Sequence, residues 1–262
     1  MRWPQGKNYQ DKEIPTAVGI IFPVALLLYI PWLASITDNS YAGLFDFGIQ
    51  ANRLWAALFA AAAVVSLLGL LDDIYGAGAD KGFRGHISAL LKGKLTTGMV
   101  KAMGGGLVAL AVAWWVPASL SPAQIIINAL IIALSINVLN LLDLRPGRAL
   151  KTYFIAFAIL AGFGLYYQNP VIYPYSVPIV AVAAGLFSGD LRGHFMLGDA
   201  GSNVLGVSIG IIVVAIAGPF AKAVILLALL FLNLASEQWS FSKIIDATPF
   251  LKSLDDLGRR RA

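Results

Sequence analysis

The chain between residues 54 and 73 reads LWAALFAAAAVVSLLGLLDD, an uncharged run that ends in two adjacent aspartates. About 20 apolar residues are enough to cross the hydrocarbon core of a bilayer as an α-helix. Further uncharged runs cover residues 14–37, 102–142, 152–189 and 200–221. The two longest have room for two spans each, separated by turns that contain proline. The pattern predicts an all-α, polytopic membrane helix bundle.

The composition points to the same class. The sequence of 262 residues is 58% hydrophobic and 13% charged, with a mean hydropathy of +0.77, whereas soluble domains carry about a quarter charged residues. The absence of cysteine excludes disulfides, thiol nucleophiles and cysteine metal sites. The net charge of +5 does not indicate nucleic-acid binding, because the basic residues are scattered through the segments between the spans. The charged start of the chain leads into a full-length span, which is not the pattern of a signal peptide.

We predict one domain, residues 1–262, with polar arms at residues 1–15 and 238–262. Eight spans are expected, at about residues 16–36, 53–71, 98–117, 122–142, 152–168, 174–189, 202–217 and 219–237. With both termini in the cytoplasm, 17 of the 19 Lys and Arg residues lie on the inner side, and the opposite orientation reverses this bias. The sequence therefore predicts a multi-pass cell-membrane protein with a cytoplasmic functional face. A short interfacial helix is expected over residues 83–91.

Aspartates stand where three of the uncharged runs begin or end. The adjacent Asp72 and Asp73 close one run, Asp143 closes a second, and Asp199 precedes a third. Carboxylates at the ends of membrane helices are costly unless they are paired, solvated or bound to a metal. The dipole at a helix C-terminus favours cations, so the pair at residues 72 and 73 needs compensation. We expect Mg²⁺, or cationic side chains from residues 143–151, to supply it.

A second motif begins at Asn137 and reads NVLNLLDLRPGRALK. Asn137, Asn140 and Asp143 are spaced i, i+3, i+6, close to one helix face. Asn137 alone is typical of a helix–helix hydrogen bond. Asn140 with Asp143, followed by Arg145 and Arg148, suits a phosphate-bearing ligand carried with its cation. The alternative for the arginines is ordinary anchoring on the inner side of the membrane.

The third motif, LGDAGSN at residues 197–203, starts the predicted seventh span. Gly198, Gly201 and Ser202 leave backbone N–H groups exposed at a helix N-terminus, where anions bind. Asp199 could instead act as a helix cap. Together on one face, the three motifs predict a site for a metal-complexed diphosphate.

These motifs carry a family resemblance. LLGLLDDIYG at 67–76, NVLNLLD at 137–143 and LGDAGSNVLG at 197–206 resemble the polyprenyl-phosphate N-acetylhexosamine-1-phosphate transferases. KEIPTAVG at 12–19 is similar to the first cytoplasmic loop of that family. The resemblance runs from about residue 8 to about residue 206. Its members include the phospho-N-acetylmuramoyl-pentapeptide transferase and the enzymes that start teichoic-acid and O-antigen synthesis.

The resemblance implies transfer of a sugar 1-phosphate, of the N-acetylhexosamine type, from a UDP-sugar to a polyprenyl phosphate, with release of UMP. It implies a bacterial membrane enzyme of cell-envelope glycan synthesis that requires Mg²⁺, with Mn²⁺ as the alternative. Asp199 would ligate the metal, joined by Asp73 and Asp143. Asp72 and Asp73 would handle the lipid phosphate, one of them as a base. Asn140 and Asp143 would hold the nucleotide–metal end. The expected partners are the two substrates and the bilayer, and a homodimer is an open alternative to a monomer.

Two other functions compete with the transferase. Family members carry a basic, often histidine-rich motif on a late cytoplasmic loop, whereas residues 240–256 contain no histidine. This difference keeps open a non-catalytic relative that binds a lipid phosphate or a partner protein as a membrane scaffold. An ion or solute transporter is disfavoured, because the centres of all eight predicted spans are uncharged.

Overall fold

The structure, a computed structural model, describes residues 3–7, 12–37, 48–76, 96–116, 121–167 and 172–259. These residues form two short strands, β1 (Gln5–Lys7) and β2 (Glu13–Pro15), and a 3-10 turn over Val18–Ile20. The α-helices that follow are α1 (Ile21–Thr37), α2 (Gly48–Tyr75), α3 (Thr97–Trp115), α4 (Pro122–Leu142), α5 (Arg148–Tyr166), α6 (Ile172–Leu191), α7 (Asp199–Ile216), α8 (Pro219–Gln238), α9 (Phe241–Ala247) and α10 (Pro249–Asp256). The interfacial helix expected over residues 83–91 lies outside the described residues.

A helix stands at each of the eight positions where the sequence predicts a span. Six of them, α2, α3, α4, α5, α7 and α8, are long and apolar enough to cross a membrane. The described apolar stretches of α1 and α6 are shorter, Val18–Tyr29 and Ser176–Leu191. An all-α, multi-pass membrane bundle is thus supported, while the total of eight crossings stays a prediction.

Helix α7 is the buried centre of the bundle, and glycines allow its neighbour to approach. A Cβ on Gly206 would lie 2.5 Å from the Cα of Ile136 in α4. A Cβ on Gly210 would lie 2.7 Å from the Cα of Ile132, one turn further along the same helix. Small residues at such contacts let membrane helices pack backbone to backbone. Because α7 is held in the centre, its N-terminus lies among the ends of the surrounding helices.

The N-terminal segment is more ordered than the polar arm that the sequence predicts. β1 and β2 pair as an antiparallel hairpin, and the chain then lies against the loop before α7. Met196 donates its N–H to Pro15 O at 2.9 Å, and Gly19 donates to Leu197 O at 3.0 Å. A Cβ on Gly19 would overlap the backbone of Gly201. The N-terminal segment therefore holds the loop that leads into α7.

Candidate functional site

The site is built around the N-terminus of α7, where Gly198 is the cap residue. Its φ of 69° lies in the left-handed region that favours glycine. A Cβ on Gly198 would also lie 2.5 Å from Asp73 Oδ2 and 2.7 Å from the backbone N of Ala17. Glycine is required there for both reasons, and its turn delivers Asp199 as the first residue of the helix.

Asp73 caps α7 from outside that helix. Its carboxylate accepts the backbone N–H groups of Asp199 at 3.0 Å and Ala200 at 3.1 Å. A carboxylate at a helix N-terminus is stabilised by the unpaired N–H groups and by the dipole there. Although Asp73 lies in the last turn of α2, the start of α7 supplies the compensation that its own helix end lacks.

The backbone N–H groups at this helix start, where the sequence predicts an anion site, are bound within the protein. The N–H groups of Gly201 and Ser202 donate to Gly198 O within the first turn, and the two preceding N–H groups bind Asp73. Asp199 does not cap the helix, since Gly198 holds that position without a side-chain bond. The anion that the helix start attracts is a side chain of the protein.

Lys101 is the residue that the sequence analysis missed. Its ammonium on α3 donates to Asp72 Oδ2 at 2.8 Å and also to Asp199 Oδ2. Mg²⁺ or cations from residues 143–151 were the expected compensation for the paired aspartates, and Lys101 provides it for Asp72. A signal existed, because Lys101 is the one charged residue between Lys94 and Asp143 in the sequence.

Asn140 joins α4 to the same cluster. Its Nδ2 donates to Asp199 Oδ1 at 2.6 Å, and it lies 3.2 Å from Ser202 Oγ and 3.4 Å from Asn203 Oδ1. Ser202 is fully buried and donates its hydroxyl to Gly198 O at 3.1 Å. Asn140 therefore holds the Asp199 side chain directly, whereas Ser202 supports the helix start from inside.

Asp143 ends α4 and lies next to the turn before α7. The residue is 8% exposed, and its carboxylate accepts the backbone N–H of Gly198. Burial raises the pKa of Asp143 well above its ordinary value, and the nearby charges of Asp190, Asp199 and Asp73 raise it further. The structure thus brings the third predicted aspartate to the cluster as a strongly perturbed group.

Asp190 is a second residue that the sequence analysis did not select. It is 1% exposed, and its Oδ2 accepts the N–H of Gly147 at 2.8 Å. Its carboxylate also accepts the backbone N–H of Leu197. One buried side chain thereby ties the loop after α4 to the loop before α7. The available signal was its position at the end of the uncharged run 152–189, which matches the positions of the selected aspartates.

Asn137 lies apart from the cluster. Its Nδ2 donates to Asn233 Oδ1 on α8 at 2.6 Å, which is the helix–helix contact typical of membrane asparagines. The expectation that Asn137, Asn140 and Asp143 share one face is wrong in this respect. Each step of three residues turns a helix by about 60° in net terms, so Asn137 reaches α8 while Asn140 reaches α7.

Arg145 and Arg148 face the C-terminal tail. Arg145 donates from Nη1 and Nη2 to Asp246 at 2.8 and 2.7 Å. Arg148 donates from Nε and Nη2 to Asp255 at 2.9 and 2.8 Å, with both side chains 5% exposed or less. Because each guanidinium already holds a carboxylate in a two-bond fork, the structure does not bring either arginine forward for a phosphate.

The Arg148–Asp255 pair is the centre of a larger contact. Arg148 Nη1 also donates to Ser242 Oγ at 2.9 Å, and Arg259 Nη2 lies 3.1 Å from Asp255 Oδ1. Burial alone would raise the pKa of Asp255, but hydrogen bonds from Arg148 and Arg259 lower it to about 2. The carboxylate therefore remains charged at any physiological pH.

The charged side chains of the cluster are mostly carboxylates, the ligand type that hard divalent cations prefer. Within the described part of the chain, no three acidic or histidine side chains stand in a metal-ligand arrangement. The donors present are oxygens of Asp72, Asp73, Asp143 and Asp199, which are the ligands that Mg²⁺ and Mn²⁺ prefer. Lys101 is the cation paired with two of them, Asp72 and Asp199. Four carboxylates surround one ammonium, so the cluster carries an excess of negative charge.

The chain matches no protein-family model, and no curated protein matches it at a meaningful level. The resemblance described above consequently depends on the sequence motifs alone.

Proposed function

We propose that this protein transfers a sugar 1-phosphate, of the N-acetylhexosamine type, from a UDP-sugar to a polyprenyl phosphate at the cytoplasmic face of the membrane. The observation that carries the proposal is the convergence of Asp72, Asp73, Asn140, Asp143 and Asp199. These residues belong to three motifs that are remote in the sequence, yet their side chains meet at the start of α7. The match between motif order and spatial grouping supports a phosphate-handling site.

Ligands can reach part of this cluster. The side chains of Asp72, Lys101 and Asp199 are 17%, 21% and 24% exposed, whereas Asp143 is buried. Asp73 has both oxygens bound to α7. Of the two adjacent aspartates, we therefore assign Asp72 to the acceptor phosphate and Asp73 to the support of the helix start.

The chemistry needs positioning and charge neutralisation more than covalent work by the protein. A phosphate oxygen of the lipid forms a bond to the β-phosphorus of the UDP-sugar, the bond from that phosphorus to UMP breaks, and UMP leaves. A lipid monophosphate is largely ionised near neutral pH, so a strong base is not required.

Asp199, whose carboxylate is more exposed than that of Asp72, would ligate Mg²⁺, with the Asn140 amide keeping its side chain in place. The metal would offset part of the negative charge of the diphosphate. Lys101 would contribute a positive charge between Asp72 and Asp199, where two anionic substrates must approach each other.

The test is an assay of the purified chain with undecaprenyl phosphate, Mg²⁺ and a panel of labelled UDP-N-acetylhexosamines. We expect a lipid-linked diphosphosugar and one UMP per product. The Asp199→Asn and Asp72→Asn variants should lose at least a factor of about 100, as expected for groups that stabilise transferring phosphate. Absence of product with every common UDP-N-acetylhexosamine would contradict the proposal.

The second candidate is a non-catalytic scaffold that binds a lipid phosphate. It is favoured by one observation, that the Lys101 ammonium already forms ion pairs with both Asp72 and Asp199. A scaffold would bind undecaprenyl phosphate and release no UMP. Its binding would also persist in the Asp199→Ala variant, whereas the transferase predicts loss of product formation in the same variant.

A further inference from the structure

The C-terminal tail, defined here as α9 and α10, has one side fixed to the rest of the protein. The carboxylate of Asp255 is buried against Arg148. Lys151 Nζ donates to the carbonyls of Leu254 at 3.2 Å and Asp255 at 2.6 Å. Arg145 holds Asp246 in α9. These contacts determine how α10 is rotated about its own axis.

The rotation of α10 leaves an apolar stripe uncovered. Phe250 and Leu254 are separated by one helical turn, and Leu257 follows at the helix end, so the three lie along one line. They are 71%, 42% and 68% exposed. Lys252 lies about 160° around the helix from Leu254 at 100° per residue, and it is also exposed. The tail helix therefore has three sides: one bound to the bundle, one apolar and one polar.

The position of the tail indicates what covers the apolar stripe. The tail starts three residues after α8, a helix long and apolar enough to cross a membrane. The last turns of α8 expose Phe231 and Leu234, and the connecting Trp239 is also exposed. Trp is typical of the boundary between lipid and water. The exposed apolar surface thus continues from a membrane helix, through an interfacial residue, to the stripe on α10.

We propose that the stripe formed by Phe250, Leu254 and Leu257 lies in the interfacial layer of the same bilayer that the long helices cross. An amphipathic helix with its apolar side in this layer and its charged side in water is a stable surface arrangement. Asp255 then lies on the side of α10 next to the stripe, where it faces Arg148 at the start of α5, just after the loop that follows Asp143. The tail connects the membrane surface to that loop, and this inference does not depend on the proposed reaction.

The chain contains no cysteine, so single-cysteine variants can be spin-labelled without background. We would reconstitute the full chain with Leu254→Cys in phosphatidylcholine vesicles and measure label accessibility to oxygen, which partitions into lipid, and to a water-soluble nickel complex. The matched control is Lys252→Cys on the opposite side of α10. Phe250→Cys is a second stripe position, in case one substitution disturbs the fold.

For each stripe label we expect the ratio of oxygen accessibility to nickel accessibility to be at least about tenfold higher than for the Lys252→Cys label. Side chains at the acyl boundary of the bilayer have this property. Equal, high nickel accessibility at all three positions would place the stripe in water and overturn the proposal. Low accessibility to both reagents at Leu254→Cys and Phe250→Cys would show that protein covers the stripe, a second copy included, and would also overturn it.

Discussion

At the scale of single residues, Lys101 is the cation that joins two carboxylates of the acidic cluster. Its ammonium is shared by Asp72 and Asp199, and these carboxylates belong to different helices. A cation so placed both links α2 and α7 through α3 and occupies space between two carboxylates. Substitution of Lys101 therefore distinguishes two roles of the cluster, the stabilisation of the fold and the binding of a metal.

We predict that Lys101→Met lowers the stability of the protein by on the order of 1–3 kcal/mol. This is below the 3–5 kcal/mol typical of a broken buried pair, since the side chains are about one-fifth exposed. Millimolar Mg²⁺ should raise the melting temperature of this variant more than that of the parent, because a cation then replaces the lost charge. Lys101→Arg is the control. Identical melting temperatures for Lys101→Met and the parent would contradict the prediction.

Gly198 permits a second prediction at this scale. In Gly198→Ala the new Cβ would press on Asp73 Oδ2 and on the N of Ala17, at a φ of 69°. Left-handed strain alone costs about 1–3 kcal/mol, and displacement of Asp73 would uncap α7. We expect a clear loss of thermal stability and of any activity. Gly162→Ala is the matched control, because nothing lies within 4 Å of a Cβ there. Equal effects of the two substitutions would disprove this account.

At the scale of elements, the chain offers two Arg–Asp forks that differ in burial. Arg145 in the loop after α4 and Arg148 at the start of α5 both hold the tail, but Arg148–Asp255 is buried and Arg145–Asp246 is partly exposed. A buried pair that loses one partner costs about 3–5 kcal/mol, whereas an exposed pair contributes about 0–1 kcal/mol. The two forks therefore predict unequal effects from the same chemical change.

We predict that Asp255→Asn releases the tail, while Asp246→Asn leaves it docked. The measurement is amide hydrogen exchange of residues 241–256 in the two variants. Protection should fall by at least a factor of about 100 in Asp255→Asn, since the lost energy acts on a local unit that can open by itself. A comparable loss in both variants would show that burial of the fork is not the deciding factor.

The same carboxylate gives the tail a pH dependence. The pKa of Asp255 falls from its ordinary 3.8 to about 2 when the tail is docked. A lowered pKa contributes stability that is complete above the unfolded value and is lost as the pH falls toward the folded value. We expect the mobility of a label on Lys252→Cys to rise between pH 4 and pH 2, a window set by these two pKa values. When Asp255→Asn is added, the label should be mobile over the whole pH range. If the transition between pH 4 and pH 2 remains in this variant, it belongs to a group other than Asp255.

The elements that the sequence predicts well are those determined locally. An uncharged run such as residues 54–71 predicts a helix wherever it stands, because the bilayer requires internal hydrogen bonds. The bond between Arg148 and Asp255 joins positions 107 residues apart, and no pattern in the sequence announces it. Lys101 is one of the 17 basic residues on the predicted inner side, and a single charge near a helix end suits anchoring and ion pairing equally well. Local patterns predicted which residues gather, but not which cation holds them.

At the scale of the whole molecule, the positions of the helix ends relate the site to one membrane face. The cluster forms where α2 and α4 end and where α3 and α7 begin, and the tail docks at the same end of the bundle. The opposite end includes Tyr167, just after α5. With 17 of 19 Lys and Arg residues on the predicted inner side, we propose that the end with the cluster faces the cytoplasm.

Orientation can therefore be tested with two exposed positions at opposite ends. We predict that, in intact cells, a membrane-impermeant maleimide labels Tyr167→Cys, whereas Lys243→Cys is labelled only after permeabilisation. Both residues are exposed, so accessibility to the reagent depends on the membrane side and not on burial. A reversed result would put the acidic cluster outside the cell. Since UDP-sugars are made in the cytoplasm, a site on the outer face would have no donor, and the proposed transfer could not occur there.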